Sequence, residues 1–392
     1  MVARRTDAAA RRSRHRGRQK TPIASHPGWP HPVHAPVDPT ELITVTSTRM
    51  SGASERAGIK IDGGIPMELR RAPGVAAELE RRDYDGCWTG EINHDPFLPM
   101  LLAAEHTSRI ELGTSIAVAF ARNPMTVAHT AWDLQSYSGG RFMLGLGTQI
   151  RTHIEKRFGM PWSRPVPRMR EFICALRAIW DSWQHGTRLC FQGDFYTHTL
   201  MTPTFTPEPL NCAPPKVFVA AVGEAMTELC GEVADGVVAH AFTTARYLDE
   251  VTLPALQRGL QRSGRARGEV AVSCPVFVVT GRTGGEMSDA AVAARKQIAF
   301  YGSTPAYLTV LDLHGWADLH TELHRLSRRG DWDAMGALID DEVLGAFAVV
   351  APVDRLAVAL RERCDGAVDR VLPAFPAGLP KEVIATILEE LR

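Results

Sequence analysis

Short runs of apolar and β-branched residues alternate with longer amphipathic stretches along most of this 392-residue chain. Such alternation is typical of parallel βα units, because each parallel strand needs a crossover, usually a helix, before the chain re-enters the sheet. We count eight runs, at residues 59–65, 86–90, 109–122, 141–147, 216–221, 236–240, 269–281 and 368–375. Eight parallel strands separated by helices close naturally into a (β/α)8 TIM barrel, an α/β fold whose active-site loops follow the carboxyl ends of the strands.

Two segments interrupt this alternation, and we predict that both are insertions in the barrel. The first lies between strands four and five and contains five prolines and a predicted hairpin from Leu189 to Tyr196. The second follows strand seven, from Glu286 to Leu344, and reads as mostly helical. It is too long for a single crossover, since connections between elements of a compact domain are usually short.

An open, doubly wound sheet is the alternative arrangement for repeated βα units. Its first strand-to-helix turn should carry a G-x-G-x-x-G fingerprint followed by an acidic residue. Here the first turn reads Gly63-Gly64-Ile65-Pro66 and does not match. The barrel is therefore the favoured fold.

Residues 1–57 differ in composition from the rest of the chain, being rich in Arg, Pro, Ser and His and poor in aliphatic residues. A segment of this kind buries too little apolar surface to offset the entropy of ordering, so we expect a disordered basic extension before a barrel domain at residues 58–392. The ordered pattern begins soon after Met50, which makes this residue a candidate translation start.

The balance of 44 basic and 44 acidic residues gives no electrostatic case for a nucleic-acid or membrane partner and directs attention to a small-molecule substrate. Seven scattered cysteines include no close pair of metal-ligand or redox spacing, so we predict free thiols and no metal site. No apolar run approaches the roughly 18 residues of a membrane span, and the first residues lack the apolar core of a signal peptide. We therefore expect a cytoplasmic protein.

Glycines at the strand ends point to a binding surface. Gly113 interrupts the predicted third strand, where a glycine suggests a bulge or the close approach of another molecule to the backbone. The fourth strand ends in Gly145, Gly147 and Thr148. The fifth is followed by Val222-Gly223 and a new helix, whose first amides form a potential phosphate site. Together these features suit a flat, phosphorylated cofactor.

Two sets of motifs carry a resemblance to known proteins. The first set is LGTSIAVAFARNP, SGGRFMLGLGTQ, VFVAAVGEAM and EVADGVVAH, and with it the chain resembles the luciferase-like superfamily of flavin and deazaflavin oxidoreductases. The second set is HIEKRFGMPWSRP, DFYTHTLMTP, RKQIAFYGSTPAY and LHGWADL, which resembles a subfamily that uses the deazaflavin coenzyme F420. The resemblance runs from about Ile59 to Phe375.

This resemblance implies a barrel with insertions and a non-prolyl cis peptide in strand three, which here would join Ser115 to Ile116. The residues that it implies for the cofactor ring are Gly113, Thr114, Ser115 and Ile116. Those that it implies for the phosphate and tail are Gly145, Gly147, Thr148, Val222, Gly223 and Thr243.

The sequence departs from the related sugar-phosphate dehydrogenases at two positions. Where those enzymes keep an acid after strand four, this chain has Gln149, and Thr243 aligns with their lysine after strand six. Both departures argue against a sugar phosphate as the substrate.

Hydride transfer needs a firmly held ring, a dry pocket and a proton relay. We predict that Glu91 and His94 form the relay, because both follow strand two and imidazole exchanges protons near neutral pH. Glu91 as an ordinary carboxylate of the barrel rim and His94 as a helix cap remain alternatives. His240, at the end of strand six, is a third candidate, as a hydrogen-bond donor to the cofactor or as the acid.

Three functional classes remain open at this point. The first is an F420-dependent oxidoreductase acting on a small organic substrate, and the second is an FMN-dependent monooxygenase that works with a separate flavin reductase. The third is a non-enzymatic cofactor-binding barrel. We also expect a homodimer.

Overall fold

The computed structural model of the protein describes residues 58–392, so the extension expected at residues 1–57 lies outside the described part. The described chain contains eight parallel strands that close on themselves, because the first strand pairs with both the second and the last. The predicted (β/α)8 barrel is therefore confirmed. Its strands are β1 (Lys60–Gly64), β2 (Gly86–Thr89), β3 (Glu111–Thr114), β4 (Phe142–Gly147), β5 (Lys216–Ala220), β6 (Gly236–Val238), β7 (Ala271–Val279) and β8 (Arg370–Ala374).

Helices surround the barrel and begin where local sequence signals place them. The third helix, for example, has Asn123 as its N-cap, whose side chain accepts a hydrogen bond from the amide of Thr126 at 3.0 Å, and Pro124 follows it. The outer helices are α1 (Ala72–Arg81), α2 (Phe97–Glu105), α3 (Pro124–Tyr137), α4 (Pro165–His185), α5 (Glu224–Val233), α6 (Leu253–Ser263), α7 (Gly284–Gly302), α8 (Leu356–Cys364) and α9 (Lys381–Leu391).

Both predicted insertions are present, after β4 and within the connection from β7 to β8. The first contains a hairpin of strands Phe191–Gln192 and Thr197–His198, whose second strand begins just beyond the predicted end at Tyr196. A short helix, Arg151–Lys156, lies between β4 and α4 and was not predicted. The second continues beyond α7 through the helices Leu308–Leu313, Ala317–Ser327, Trp332–Ala337 and Asp341–Phe347. It ends in a short strand, Ala348–Val350, that pairs with the carboxyl end of β7 and was not predicted.

The predicted strand at residues 109–122 is too long. The regular strand ends at Thr114, the segment Ala117–Val118 pairs separately with β4, and a 3-10 turn occupies Ala119–Ala121. The interruption lies at the carboxyl end of the barrel, where strand ends give way to the loops of the site.

The barrel interior is filled by side chains from alternate strand positions. Trp88, Met143, Phe218 and Val238 form one buried cluster on the axis. Asp62 lies in the middle of β1. It is fully buried, and its carboxylate accepts hydrogen bonds from Arg370 Nε and Nη2 at 2.8 and 2.6 Å. This pair links β1 to β8 and belongs to the interior of the barrel rather than to its mouth.

Within residues 58–392, no helix combines the length and the apolarity that crossing a bilayer requires. All seven cysteines lie in this part of the chain as free thiols.

Candidate active site

The glycines of β3 and β4 face atoms of the protein itself. A Cβ atom built on Gly113 would lie 2.4 Å from Cε3 of Trp88, so the indole ring occupies the space that a side chain would need. A Cβ atom on Gly145 would lie 1.7 Å from the carbonyl oxygen of Thr114. Both positions therefore require glycine whether or not another molecule binds nearby.

The peptide bond between Ser115 and Ile116 is cis, as the resemblance implied. The amide of Ser115 donates to the carbonyl of Thr89 at 2.7 Å, and the carbonyl of Ile116 accepts from the amide of Glu91 at 3.2 Å. The side chain of Ile116 packs over Gly147, where a Cβ atom would lie 2.7 Å from its Cδ1.

Thr114 is fully buried and bonded to the neighbouring strand. Its hydroxyl donates to the carbonyl of Gly145 at 2.8 Å and accepts from the amide of the same residue at 2.9 Å. We call residues 113–116 and 145–147 the β3–β4 wall. A support for a cofactor ring at this wall stays a prediction, but the hydroxyl of Thr114 is already occupied.

Glu91 is held in a network of structural contacts. Only 6% of its side chain is exposed, and Oε2 accepts from the amide of Val118 at 2.7 Å and from Arg122 Nη1 at 2.6 Å. Arg122 also pairs with Asp95 at 3.0 Å. These contacts tie the loop after β2 to the segment after β3, which favours the rim-carboxylate alternative over the relay for Glu91.

His94 lies in the same loop, and its side chain is exposed. It does not cap the following helix, because Asp95 does so, with Oδ1 accepting from the amides of Phe97 at 2.9 Å and Leu98 at 3.3 Å. The structure brings neither His94 nor Glu91 to the wall of the cavity described next.

A cavity of about 440 Å³ opens beyond the carboxyl ends of β4 and β5. This volume falls within the usual range of small-molecule sites. Two predicted cofactor residues, Thr148 and Gly223, meet in its wall. The other lining residues are Gln149, Ile150, Arg151, Trp162, Pro165, Val166, Ala225, Met226 and Ala306.

The amino terminus of α5 contributes polar groups to this cavity. Gly223 is its N-cap residue and provides no side-chain cap, so the amides of the first turn lack a partner within the helix. The carboxylate of Glu224, which lies in that turn, pairs instead with Arg258 Nη2 at 2.6 Å. Arg151 also lines the cavity, with its Nε paired to Glu155 at 3.0 Å and its other guanidinium nitrogens without a protein partner among residues 58–392. Unpaired amides, a helix dipole and a nearby cation suit a phosphate group.

Gln149 adopts a left-handed backbone conformation, with φ of 59°. Such values are uncommon outside glycine and cluster at functional sites. The side chain of Gln149 accepts a hydrogen bond from the amide of Ile150 at 3.0 Å, and the hydroxyl of Thr148 donates to the carbonyl of Gln149, also at 3.0 Å. The turn therefore presents two polar side chains at the cavity rim.

His240 follows β6 at a position that alternation places on the inward face, two residues after Val238. Its Nδ1 accepts a hydrogen bond from the amide of Phe242 at 3.0 Å. Nε2 therefore carries the proton of the neutral ring. Burial lowers the pKa of His240 to about 4, so the imidazole is neutral near pH 7 and presents an N–H donor.

Two tyrosines that the sequence reasoning did not single out flank His240. The ring of Tyr307 stacks on the imidazole with centroids 4.5 Å apart and an interplanar angle of 25°. Tyr301 meets the imidazole edge-on at 4.6 Å and 83°. Both tyrosines belong to the insertion after β7 and to the motif RKQIAFYGSTPAY. Their place in that motif is the sequence signal that could have identified them as candidate site residues.

The last two predicted cofactor residues lie close to this region without lining the cavity. The carbonyl of Val222 accepts a hydrogen bond from the hydroxyl of Tyr247 at 3.2 Å. Thr243 is buried, and its carbonyl accepts from Arg363 of α8 at 3.1 Å. Among the described residues, the hydroxyl of Thr243 has no hydrogen-bond partner.

The fold is a (β/α)8 barrel with a cavity at the carboxyl ends of its strands. The profile of the luciferase-like monooxygenase family matches residues 40–370. The chain belongs to that family.

Similar proteins include both uncharacterized and F420-dependent members. A protein of Mycobacterium tuberculosis described as uncharacterized is 65% identical over 334 residues, which is 85% of this chain and 98% of that protein. The F420-dependent glucose-6-phosphate dehydrogenase of Intrasporangium calvum is 30% identical over 254 residues, 62% of this chain and 70% of that enzyme. The structure of the coenzyme F420-dependent tetrahydromethanopterin reductase from Methanopyrus kandleri aligns with a TM-score of 0.69 at 20% identity, covering 86% of this chain and 99% of the reductase.

Proposed function

We propose that this protein is an oxidoreductase that transfers a hydride between coenzyme F420 and a small organic substrate. The observation that carries the proposal is the uncapped amino terminus of α5, which opens into the cavity beside Thr148. The F420-dependent dehydrogenase among the relatives supports F420 over FMN.

The residues of the cavity fit a flat, phosphorylated cofactor. The first-turn amides of α5 and the guanidinium of Arg151 would hold the phosphate. Trp162, which packs edge-on against Phe120 with centroids 5.8 Å apart, and Met226 supply apolar surface for the rest of the molecule. The β3–β4 wall would support the ring, through backbone and Ile116 rather than through the hydroxyl of Thr114.

When bound, the deazaflavin supplies or accepts the hydride. The chain orients the reactants and excludes water. Of the three predicted relay residues, His240 alone presents an unused donor on the inward face of the barrel. Glu91 positions the loop after β2 by bonding Val118 and Arg122, and His94 has no contact that supports a catalytic role.

Equilibrium titration of the purified protein with F420 and, separately, with FMN tests the proposal. We expect saturable F420 binding and weaker FMN binding. Tight FMN binding without F420 binding would overturn it in favour of a flavin monooxygenase, and binding of neither cofactor would overturn it outright. Oxidation of reduced F420 in the presence of enones, imines and quinones, and reduction of F420 by alcohols, would then identify the substrate.

A further inference from the structure

Three side chains that carry hydrogen-bond donors pack against one another at the mouth of the barrel, on the side of β6. They are Nε2 of His240 and the hydroxyls of Tyr301 and Tyr307. Within residues 58–392, none of the three has a hydrogen-bond partner, while Nδ1 of His240 is already occupied by the amide of Phe242. None of these three atoms is among the fully buried atoms that lack a partner, so all three remain accessible to a ligand.

The rings that carry these donors form a rigid cluster. Tyr301 and Tyr307 meet at 5.9 Å and 88°, and Phe242 lies under both with centroids at 6.4 and 5.7 Å. Phe242 is itself fully buried and stacks on Phe347 at 4.3 Å and 25°. Because the rings are packed from below, the donors are held in place before a ligand arrives.

All three groups donate as neutral species near pH 7. Burial lowers the pKa of His240 to about 4, and burial together with the neighbouring Tyr301 raises the pKa of Tyr307 to about 12. Burial also raises the pKa of Tyr301. Neutral donors in a partly dry site suit an oxygen atom that carries or develops negative charge. Aromatic surfaces beside them suit a planar ligand.

We infer that His240, Tyr301 and Tyr307 form a binding site for the oxygen of a planar conjugated carbonyl compound, such as an enone or a quinone. This inference rests on the proposed function, because reduction of such a compound adds a hydride to carbon and a proton from solvent to oxygen, with the reduced cofactor as the hydride source. The site holds the oxygen while it is charged. Ala306 lines the cavity and precedes Tyr307, so the donor cluster borders the proposed cofactor site.

Calorimetric titration of the full chain with 4-nitrophenolate, a planar oxyanion, tests this site without turnover. The matched ligand is 4-nitroanisole, which keeps the ring and lacks the charged oxygen. We expect the phenolate to bind at least about tenfold more tightly, because hydrogen bonds to a charged oxygen are stronger than those to a neutral one. Equal binding of the two ligands, or no detectable phenolate binding, would overturn the inference.

Tyr301→Phe and Tyr307→Phe remove one hydroxyl each and keep the rings. Each should weaken phenolate binding about tenfold and leave 4-nitroanisole binding unchanged, which also reports an intact fold. Tyr137→Phe makes the same change on α3, where the hydroxyl bonds Glu105, and should have no effect. If Tyr301→Phe and Tyr307→Phe both bound the phenolate as tightly as the parent, the proposed site would be overturned.

Separate F420 titrations distinguish this inference from the proposed function. Hydroxyl-dependent phenolate binding in a protein that does not bind F420 would leave the oxygen site standing and remove the function. F420 binding without hydroxyl-dependent phenolate binding would leave the proposed function standing and overturn the oxygen site.

Discussion

The two sides of the barrel mouth use their polar groups differently. On the β3–β4 wall, Thr114 bonds Gly145 twice, and Trp88 and Ile116 fill the spaces at the glycines. On the side of β5 and β6, the first amides of α5 and the Nε2 donor of His240 are left free. The polar groups of the first region are bonded within the protein, whereas those of the second have no protein partner in the described part of the chain. A glycine-rich strand end is therefore a weaker sign of a binding site than an unpaired donor.

Gly145→Ala tests the packing of the β3–β4 wall most directly. The new Cβ would lie 1.7 Å from the carbonyl of Thr114, a backbone atom that cannot move without shifting β3. We expect a loss of about 3 kcal/mol or more in the free energy of unfolding, measured by chemical denaturation. Gly64→Ala is the control, since nothing lies within 4 Å of a Cβ there. An unchanged unfolding free energy in Gly145→Ala would mean that the wall is not closed as described.

Glu91→Gln tests whether this carboxylate belongs to the structural network or to a relay. The change removes the more buried of the two carboxylates that pair with Arg122 and leaves Asp95 as its charged partner, so we expect a loss of about 2 kcal/mol in unfolding free energy. Glu250→Gln, in an exposed pair with Arg246, should cost less than about 1 kcal/mol. If Glu91→Gln abolished turnover at unchanged stability, the relay role would be restored.

Lowering the pH should reduce the free energy of unfolding, because His240 has a lower pKa in the folded protein than in the unfolded chain. Its pKa is about 4 in the folded protein and about 6.5 when unfolded, so below pH 6.5 the unfolded chain binds the proton first. This contribution is complete above pH 6.5 and is lost as the pH falls toward 4. Between pH 7.5 and pH 5, the free energy of unfolding of the parent should fall by about 2 kcal/mol more than that of His240→Gln, as measured by chemical denaturation. Parallel losses in the two proteins would contradict a neutral, buried imidazole.

Gly223→Asp should have the smallest effect, and its two consequences differ in sign. A carboxylate at this N-cap would bond the first amides of α5 and stabilise the helix by a few tenths of a kcal/mol. It would also occupy the proposed phosphate site, so F420 affinity should fall about tenfold, or about 1.4 kcal/mol. Gly268→Asp adds the same charge before β7, where a Cβ also meets nothing within 4 Å. Equal F420 affinity in the parent, Gly223→Asp and Gly268→Asp would show that the phosphate does not bind at the amino terminus of α5.

Much of the barrel could be predicted because its signals are local. Buried parallel strands read as short apolar runs, and the helices between them start at caps such as Asn123. The strand predicted at residues 109–122 was too long, because an apolar run does not show where pairing with the neighbouring strand ends. The helix Lys381–Leu391 was not predicted, because it follows the last strand of the eight repeated units.

The candidate site was less predictable, because its contacts join residues far apart in the chain. Even in the barrel interior, outside the site, Asp62 pairs with Arg370 across 308 positions, and no residue near Asp62 indicates that partner. The tyrosines beside His240 come from an insertion more than 60 positions later. Strand-end position selected Glu91, His94 and His240 equally, while burial and hydrogen bonding separate them.

The sequence by itself determined the order of strands and helices, the two insertions and, through its motifs, the family. These properties follow from hydrophobic periodicity and turn chemistry, which act over a few neighbouring residues. Only the tertiary structure decided which polar groups are consumed within the protein and which remain for a ligand. That division depends on contacts between distant parts of the chain, because pairing of β3 with β4 places Thr114 beside Gly145 and packing of the second insertion places Tyr301 and Tyr307 against His240.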